Sequence, residues 1–243
     1  MLGPVRTRKT GEAVAGALRE RIASGELRPG DRLPPEDQLL GHLRVARNTL
    51  REGLRILESE GIIEVRRGRY GGPYVTEAPL ERLVAAFDLH LQLAGATIGD
   101  LDQARLLIEP QLAGSLAAIR TDEELEVLHT LIADASAASE RGDLHAYGVA
   151  VSGLHRAIVE RGGNLTLATV GRLLYHLVEE TYRVRLIERP GRDARTVALR
   201  SYRKLYNLIE SRDSAAAERH WRRQMERTAG HGDPARTLRD MFR

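Results

Sequence analysis

The sequence predicts a mainly α protein of two domains: three helices closed by a small β-hairpin, then an all-α bundle of about seven helices. Three observations carry this. Apolar residues recur at three- and four-residue steps along most of the chain, the period of helices with one buried face. Turn and strand signals crowd into the first 77 residues and nearly vanish after Pro79. The length, 243 residues, suits two domains better than one.

The first helix is expected from about 10 to 24, where Val14, Leu18 and Ile22 make one apolar stripe. Gly25 ends it, and Leu27 to Asp31 reads as a turn. A short second helix starts at Pro35, a residue suited to a first helical turn, with Glu36 and Asp37 favourable beside it. It turns Leu39, Leu40 and Leu43 inward. After a tight connection at Arg44-Val45, a third helix spans about 46–60 on a stripe of Leu50, Leu54 and Leu57. Gly61 closes that helix, and residues 62–65 have strand composition. Arg66 to Pro73, including Arg69 and Tyr70, is a glycine-rich basic loop before a return strand at 74–76. Two helices joined by a tight turn, preceded by a third and followed by a hairpin, describe a winged helix-turn-helix.

Beyond it, helices are expected at about 80–94, 99–119, 122–141, 143–161, 164–187, 193–211 and 213–229. Breaks fall at Gly95, Thr121, Gly142, Gly162-Gly163 and Pro190-Gly191. Thr121 with Glu124 three residues later is a capping-box pattern. The tail from Gly230 is expected to fray. The domains are therefore drawn at 1–77 and 78–233, with a tail at 234–243.

Composition narrows the function. Without cysteine there is no disulfide framework, no thiolate metal site and no cysteine nucleophile. No apolar run approaches the roughly 18 residues of a membrane span, and Met1 to Thr10 is basic without an apolar signal core. A cytoplasmic protein without membrane contact is expected. Residues 1–77 hold 14 Lys+Arg against 11 Asp+Glu, whereas the remainder is balanced, so the whole excess of +3 sits in the first domain. Aromatics are only 4%, too few for a single-strand stacking platform, while duplex binding stays open. A glycine-rich phosphate loop after a strand, Gly-x-Ser-x-Gly and His-Glu-x-x-His are all missing, so no enzyme is expected.

On the third helix Arg47, Arg51 and Arg55 lie at four-residue steps, opposite the leucine stripe. A helix fits the DNA major groove, and arginine bonds guanine in a bidentate way or clamps a phosphate. Asn48 and Thr49 on the first exposed turn reach the same surface. The competing reading is a solvated face with Arg51 or Arg55 paired to Glu52, Glu58 or Glu60.

The stretch Leu33-Pro34-Pro35-Glu36, Leu39, Val45-Ala46-Arg47-Asn48-Thr49-Leu50-Arg51-Glu52-Gly53-Leu54, Leu57, Glu60-Gly61, with Gly68 in the hairpin, resembles the helix-turn-helix signature of the GntR family of bacterial regulators. The resemblance implies operator contacts by Arg47, Asn48, Thr49 and Arg51, and a wing contact in the minor groove by Arg67 beside Gly68. This chain departs from the family at four positions. Arg44 replaces the turn glycine, which asks a residue with a side chain to adopt a left-handed conformation. Ala46 removes an N-cap worth about 1 kcal/mol. Gly53 replaces a helix-favouring alanine, again at about 1 kcal/mol. Asp37 stands where many relatives carry a phosphate-contacting arginine.

The resemblance continues with Leu101 to Glu109, Leu154-His155 with Asn164-Leu165, and Leu205, Ile209, Asp213 and Ala217, which look like the FadR-type C-terminal domain. Many such domains hold a divalent metal through one Asp and three His. The matching positions here read Val151, His155, Tyr202 and Gln224, so the resemblance implies that the metal site is lost and no cofactor is held. His220, one turn before Gln224, is the residue that would rescue it. What remains is a cavity for an organic effector, with Arg105, His155, Tyr202 and Gln224 as its polar groups. An acyl-CoA or other carboxylate is the expected class, by likeness to metal-free family members. Arg105 either clamps that anion or pairs with Glu109, and His155, as a lone buried histidine, reads more readily as satisfied within the core than as a ligand contact. Tyr175, Tyr182 and Trp221 read as packing residues; His42, His90, His129 and His145 carry no functional reading. A homodimeric, effector-controlled regulator, more often a repressor, follows from twofold operators. A nonspecific architectural DNA binder is the alternative, and the large neutral helical domain argues against it.

Overall fold

The computed structural model describes residues 10–68, 71–77, 80–188, 191–229 and 233–241, without the side chains of 81, 178–188 and 241. The basic N-terminus, Arg69 and Tyr70 of the wing tip, the Tyr182 side chain, the break at Pro190 and the tail start at Gly230 lie outside the described residues. The chain divides into two compact units, one up to Leu83 and one from Val84.

The first unit holds α1 (Gly11–Ala23), α2 (Glu36–Leu43), α3 (Arg47–Ser59), β1 (Ile63–Arg66) and β2 (Gly72–Val75). β1 and β2 pair antiparallel, with Ile63 opposite Val75 and Arg66 opposite Gly72. Arg32 adds a bridge to Tyr74, on the β2 side of the wing. The core is Val14, Ala15, Leu18, Leu33, Leu39, Leu50, Leu57, Ile63 and Val75. Of the expected stripes, Ile22, Leu40, Leu43 and Leu54 are only half-buried at its edge.

Two of the departures appear as expected. Arg44 closes α2 at φ 51 and ψ 51, a left-handed conformation held by a residue with a Cβ. Ala46 precedes α3 with no side-chain cap. Pro35 caps α2 rather than opening it. Gly53 corrects the expectation of a mere propensity cost. A Cβ there would lie 2.6 Å from Val14 Cγ1 and 2.9 Å from the Gly11 carbonyl oxygen. The absence of a side chain is what lets α1 and α3 cross this closely.

The second unit continues α4 (Leu80–Ala94) into α5 (Ile98–Ile119), α6 (Asp122–Arg141), α7 (Leu144–Arg161), α8 (Leu165–Glu188), α9 (Arg192–Glu210) and α10 (Ser214–Thr228). No described helix is long and apolar enough to cross a membrane. The capping box at Thr121 forms: Glu124 N–H donates to the Thr121 hydroxyl, and Thr121 N–H donates to the Glu124 carboxylate at 2.6 Å. A second box, unforeseen, joins Thr97 and Asp100 at the start of α5. Asn164 and Asp213, two polar positions of the family-like motifs, act as helix caps. Each accepts an N–H bond at 3.0 Å, from Leu167 and Ala216.

The tail from 233 does not fray. Ile98 and Gly99 N–H donate to the Arg236 and Pro234 carbonyls at 3.0 Å, and Leu238 N–H returns to the Ala96 carbonyl at 2.9 Å. Leu238, opening a short 3₁₀ turn (Leu238–Met241), is 1% exposed in a cluster with Leu101, Leu112, Tyr175 and Leu177. Its buried side chain and these three backbone bonds hold a segment that its terminal position alone suggested would fray.

Candidate functional site

The exposed face of α3 is built by its own leucine stripe. Leu50 and Leu57 point inward, which forces Arg47, Arg51 and Arg55, on the opposite side, into solvent. Asn48 is exposed and Thr49 half-buried on the same turn. The arginines do not take the partners offered by α3. Arg47 Nη2 lies 3.2 Å from Asp37 Oδ1, and Arg47 Nε and Arg51 Nε approach Glu36 Oε1 at 3.3 and 3.5 Å. Glu60 is instead held by Arg19 of α1, whose Nε donates to Oε2 at 3.0 Å. Thus the acidic start of α2 gathers Arg47 and Arg51 of α3 across the turn, a contact that fixed spacing along one helix does not reveal. On the wing, Arg67 is exposed and Gly68 takes φ 107, a conformation open to glycine.

In the helical unit the polar residues converge on one carboxylate. Glu109, on α5 and 1% exposed, accepts from Arg105 Nε at 2.7 Å through Oε1. Its Oε2 lies 2.7 Å from His155 Nδ1 on α7 and accepts from Trp221 Nε1 on α10 at 3.3 Å. The Tyr175 hydroxyl of α8 accepts from Arg105 Nη2 at 3.5 Å and adds its pull on the carboxylate. Burial opposes the charge, yet Arg105, then His155 and Tyr175, hold this carboxyl down at about 2. Burial drives the His155 imidazole below its ordinary value against the pull of Glu109, and drives the Tyr175 phenol well above its own. An ionised Glu109 can only accept, so the neutral imidazole carries its proton on Nδ1.

Of the four predicted effector residues, the structure brings three together. Arg105 Nη2 lies 3.3 Å from His155 Nδ1, and the His155 and Tyr202 rings meet edge-on with centroids 6.1 Å apart. Gln224 is buried on α10 but gives its Oε1 to Arg227 Nη2 at 3.0 Å. Arg105 has the ion pair that was its alternative reading, with Asp102 Oδ1 also at 3.7 Å. Trp221 and Tyr175 are core residues, as expected, but each also bonds the cluster; a donor on a buried aromatic was the available signal. Val151 is a buried aliphatic side chain. His220 faces Ser201, its Nε2 lying 2.9 Å from that residue's carbonyl oxygen. Among the described residues, no group of three or more His, Asp or Glu is placed to hold a metal.

Comparison with known proteins agrees with both halves. Residues 10–70 match the family of bacterial regulatory proteins called gntR, and residues 100–227, over half the chain, match the FCD domain. The uncharacterized HTH-type transcriptional regulator YcbG of Bacillus subtilis (strain 168) is 30% identical over 203 residues, covering 82% of this chain and 79% of its own. The HTH-type transcriptional repressor NanR of Klebsiella aerogenes is 27% identical over 226 residues, 89% of this chain and 82% of its own. A solved Streptococcus agalactiae GntR structure shares the fold with a TM-score of 0.68 at 24% identity, over 90% of this chain and 98% of that one. The winged helix-turn-helix, the helical unit that follows it in the chain and these matches agree: the chain is a DNA-binding transcription regulator rather than an enzyme, and it belongs to the GntR family of bacterial regulatory proteins, in the branch that carries an FCD domain.

Proposed function

We propose that this regulator binds a twofold operator as a homodimer and acts as a repressor, released by a small organic effector that needs no metal. The observation that carries the reading is the exposed arginine face of α3 set against its buried leucine stripe. Arg47, Asn48, Thr49 and Arg51 enter the major groove, and Arg67 beside Gly68 enters the minor groove. DNA phosphates and guanine edges then replace Glu36 and Asp37 as partners of the arginines. A repressor among the relatives supports the sign of control. Leu89, Leu93 and Leu107 are more than half exposed, apolar area that a second copy would cover.

The effector binds in the helical unit at Arg105, His155, Tyr202 and Gln224, and a carboxylate competes there with Glu109 and Asp102 for Arg105. An acyl-CoA belongs to this class. What supports a metal-free site is the donor set. Val151 cannot coordinate, Gln224 is weak, neutral and bonded to Arg227, and the Arg105 cation stands beside His155. The test is operator binding by fluorescence anisotropy after chelation, with carboxylates, acyl-CoA thioesters and divalent metals added in turn. An organic acid that releases DNA without metal supports the reading; release that requires Zn²⁺ or Ni²⁺ overturns it.

A further inference from the structure

A groove of about 600 Å³ runs between α9 and α10. Arg200 and Lys204 line it from α9, Arg223 and Arg227 from α10, and the buried Ser201 and His220 sit between them. Among the described residues that line it, Glu226 alone is acidic. Arg200, Lys204 and Arg223 take no carboxylate partner among the described residues, and Arg227 reaches only neutral acceptors, the Gln224 side chain and the Arg223 carbonyl. The cations are close enough to act on one group. Burial most strongly, then Lys204, Arg223 and Arg227, push the His220 imidazole below its ordinary value despite its bond to the Ser201 carbonyl. Gathering like charges around one concavity is unfavourable unless a counter-charge enters it.

We propose that the α9–α10 groove binds a small multivalent anion, a phosphorylated or polycarboxylated metabolite. Arg200 and Arg223 grip it from the two helices, since the guanidinium fork matches phosphate and carboxylate oxygens. Lys204 and Arg227 add charge along its length. The volume falls within the roughly 300–1,000 Å³ of small-molecule sites. A duplex backbone calls for cations spread along an open face instead of gathered around a groove. The groove opens on the other side of α9 and α10 from the effector position proposed above, and touches it through the Arg227–Gln224 bond. Ser201 and His220 turn to the groove, whereas their chain neighbours Tyr202 and Trp221 pack around His155.

The test is calorimetric titration of the full chain with inorganic pyrophosphate and with citrate, against sodium chloride of equal ionic strength. One site per chain is expected for at least one anion, and the tighter of the two tells phosphoryl from carboxylate chemistry. Arg200→Gln with Arg223→Gln weakens that binding about tenfold or more, while Arg47→Gln with Arg51→Gln leaves it unchanged. All four side chains are exposed, and an unchanged melting temperature confirms that each variant folds. Binding of neither anion overturns the proposal. So does binding lost with the α3 pair but kept with the groove pair. Loss of random-duplex affinity in the groove pair, with small-anion binding intact, assigns the face to DNA and equally overturns it.

Discussion

Arg47 of α3 lies 3.2 Å from the Asp37 carboxylate of α2, so the first arginine of the DNA-reading face carries an acidic partner within its own domain. Asp37 occupies a position where the family resemblance expects a cation. Both side chains are exposed, so the pair contributes no more than about 1 kcal/mol. Its weight falls on binding, because Arg47 leaves Asp37 to meet DNA and Asp37 then faces phosphates. Asp37→Asn is expected to tighten operator binding about two- to fivefold at low salt. Unchanged or weaker binding in a salt titration contradicts this.

Gly53 pits two effects against each other. Alanine in a helix interior gains about 1 kcal/mol over glycine. Here its methyl would overlap Val14 and the Gly11 carbonyl, and overpacking costs about 1–3 kcal/mol. The backbone oxygen cannot rotate aside, so the clash is expected to win. Gly53→Ala should lower the melting temperature of the DNA-binding unit; a rise would show that α1 and α3 can separate at little cost.

Glu109 predicts the acid limb of stability. Its pKa is depressed to about 2 from an ordinary 4.5, so its contribution is present above 4.5 and is lost as pH falls towards 2. His155 adds to this in the same direction. Its folded pKa is lowered, so the unfolded chain takes up the proton first and stability declines as pH drops below about 6.5. Denaturant titrations should show stability falling from neutral pH downward. Glu109→Gln leaves buried Arg105 with only the longer Asp102 contact at 3.7 Å and should cost about 2–4 kcal/mol at pH 7. A near-neutral variant would mean that the cluster is hydrated and weak.

Leu238 tests the ordered tail. A fully buried leucine replaced by alanine costs about 2–5 kcal/mol. Leu238→Ala should therefore destabilise the helical unit in thermal unfolding by an amount a frayed tail would not. No change would place residues 233–241 off the core.

Helices, hairpin and the arginine face were legible because each depends on local periodicity: the leucine steps of α3 fix which side its arginines occupy. The Thr121–Glu124 box was legible for the same reason. What escaped depends on contacts between elements. Glu36 lies 15 residues before Arg51, and only the angle of the turn brings them together. Gly53 reads as a poor helix residue until Gly11 and Val14 are seen against it. Glu109 was visible as a possible partner of Arg105, four residues away, but not as the acceptor for α7 and α10 as well. Leu238 stands alone between polar neighbours with no periodic stripe around it, too little to show that the α4–α5 turn would hold it.

The central claim is that α3 reads a specific DNA sequence through Arg47 and Arg51. The most direct measurement is selection of bound duplexes from a random pool, followed by titration of the selected site and a random duplex at fixed salt. The account predicts a twofold-symmetric site bound about 10³-fold or more tighter than random DNA. It also predicts that Arg51→Ala loses about 1–3 kcal/mol on that site, with relaxed preference at the guanine it contacts. Equal affinity for selected and random duplexes, or an Arg51→Ala variant that binds the site like the parent, would contradict it.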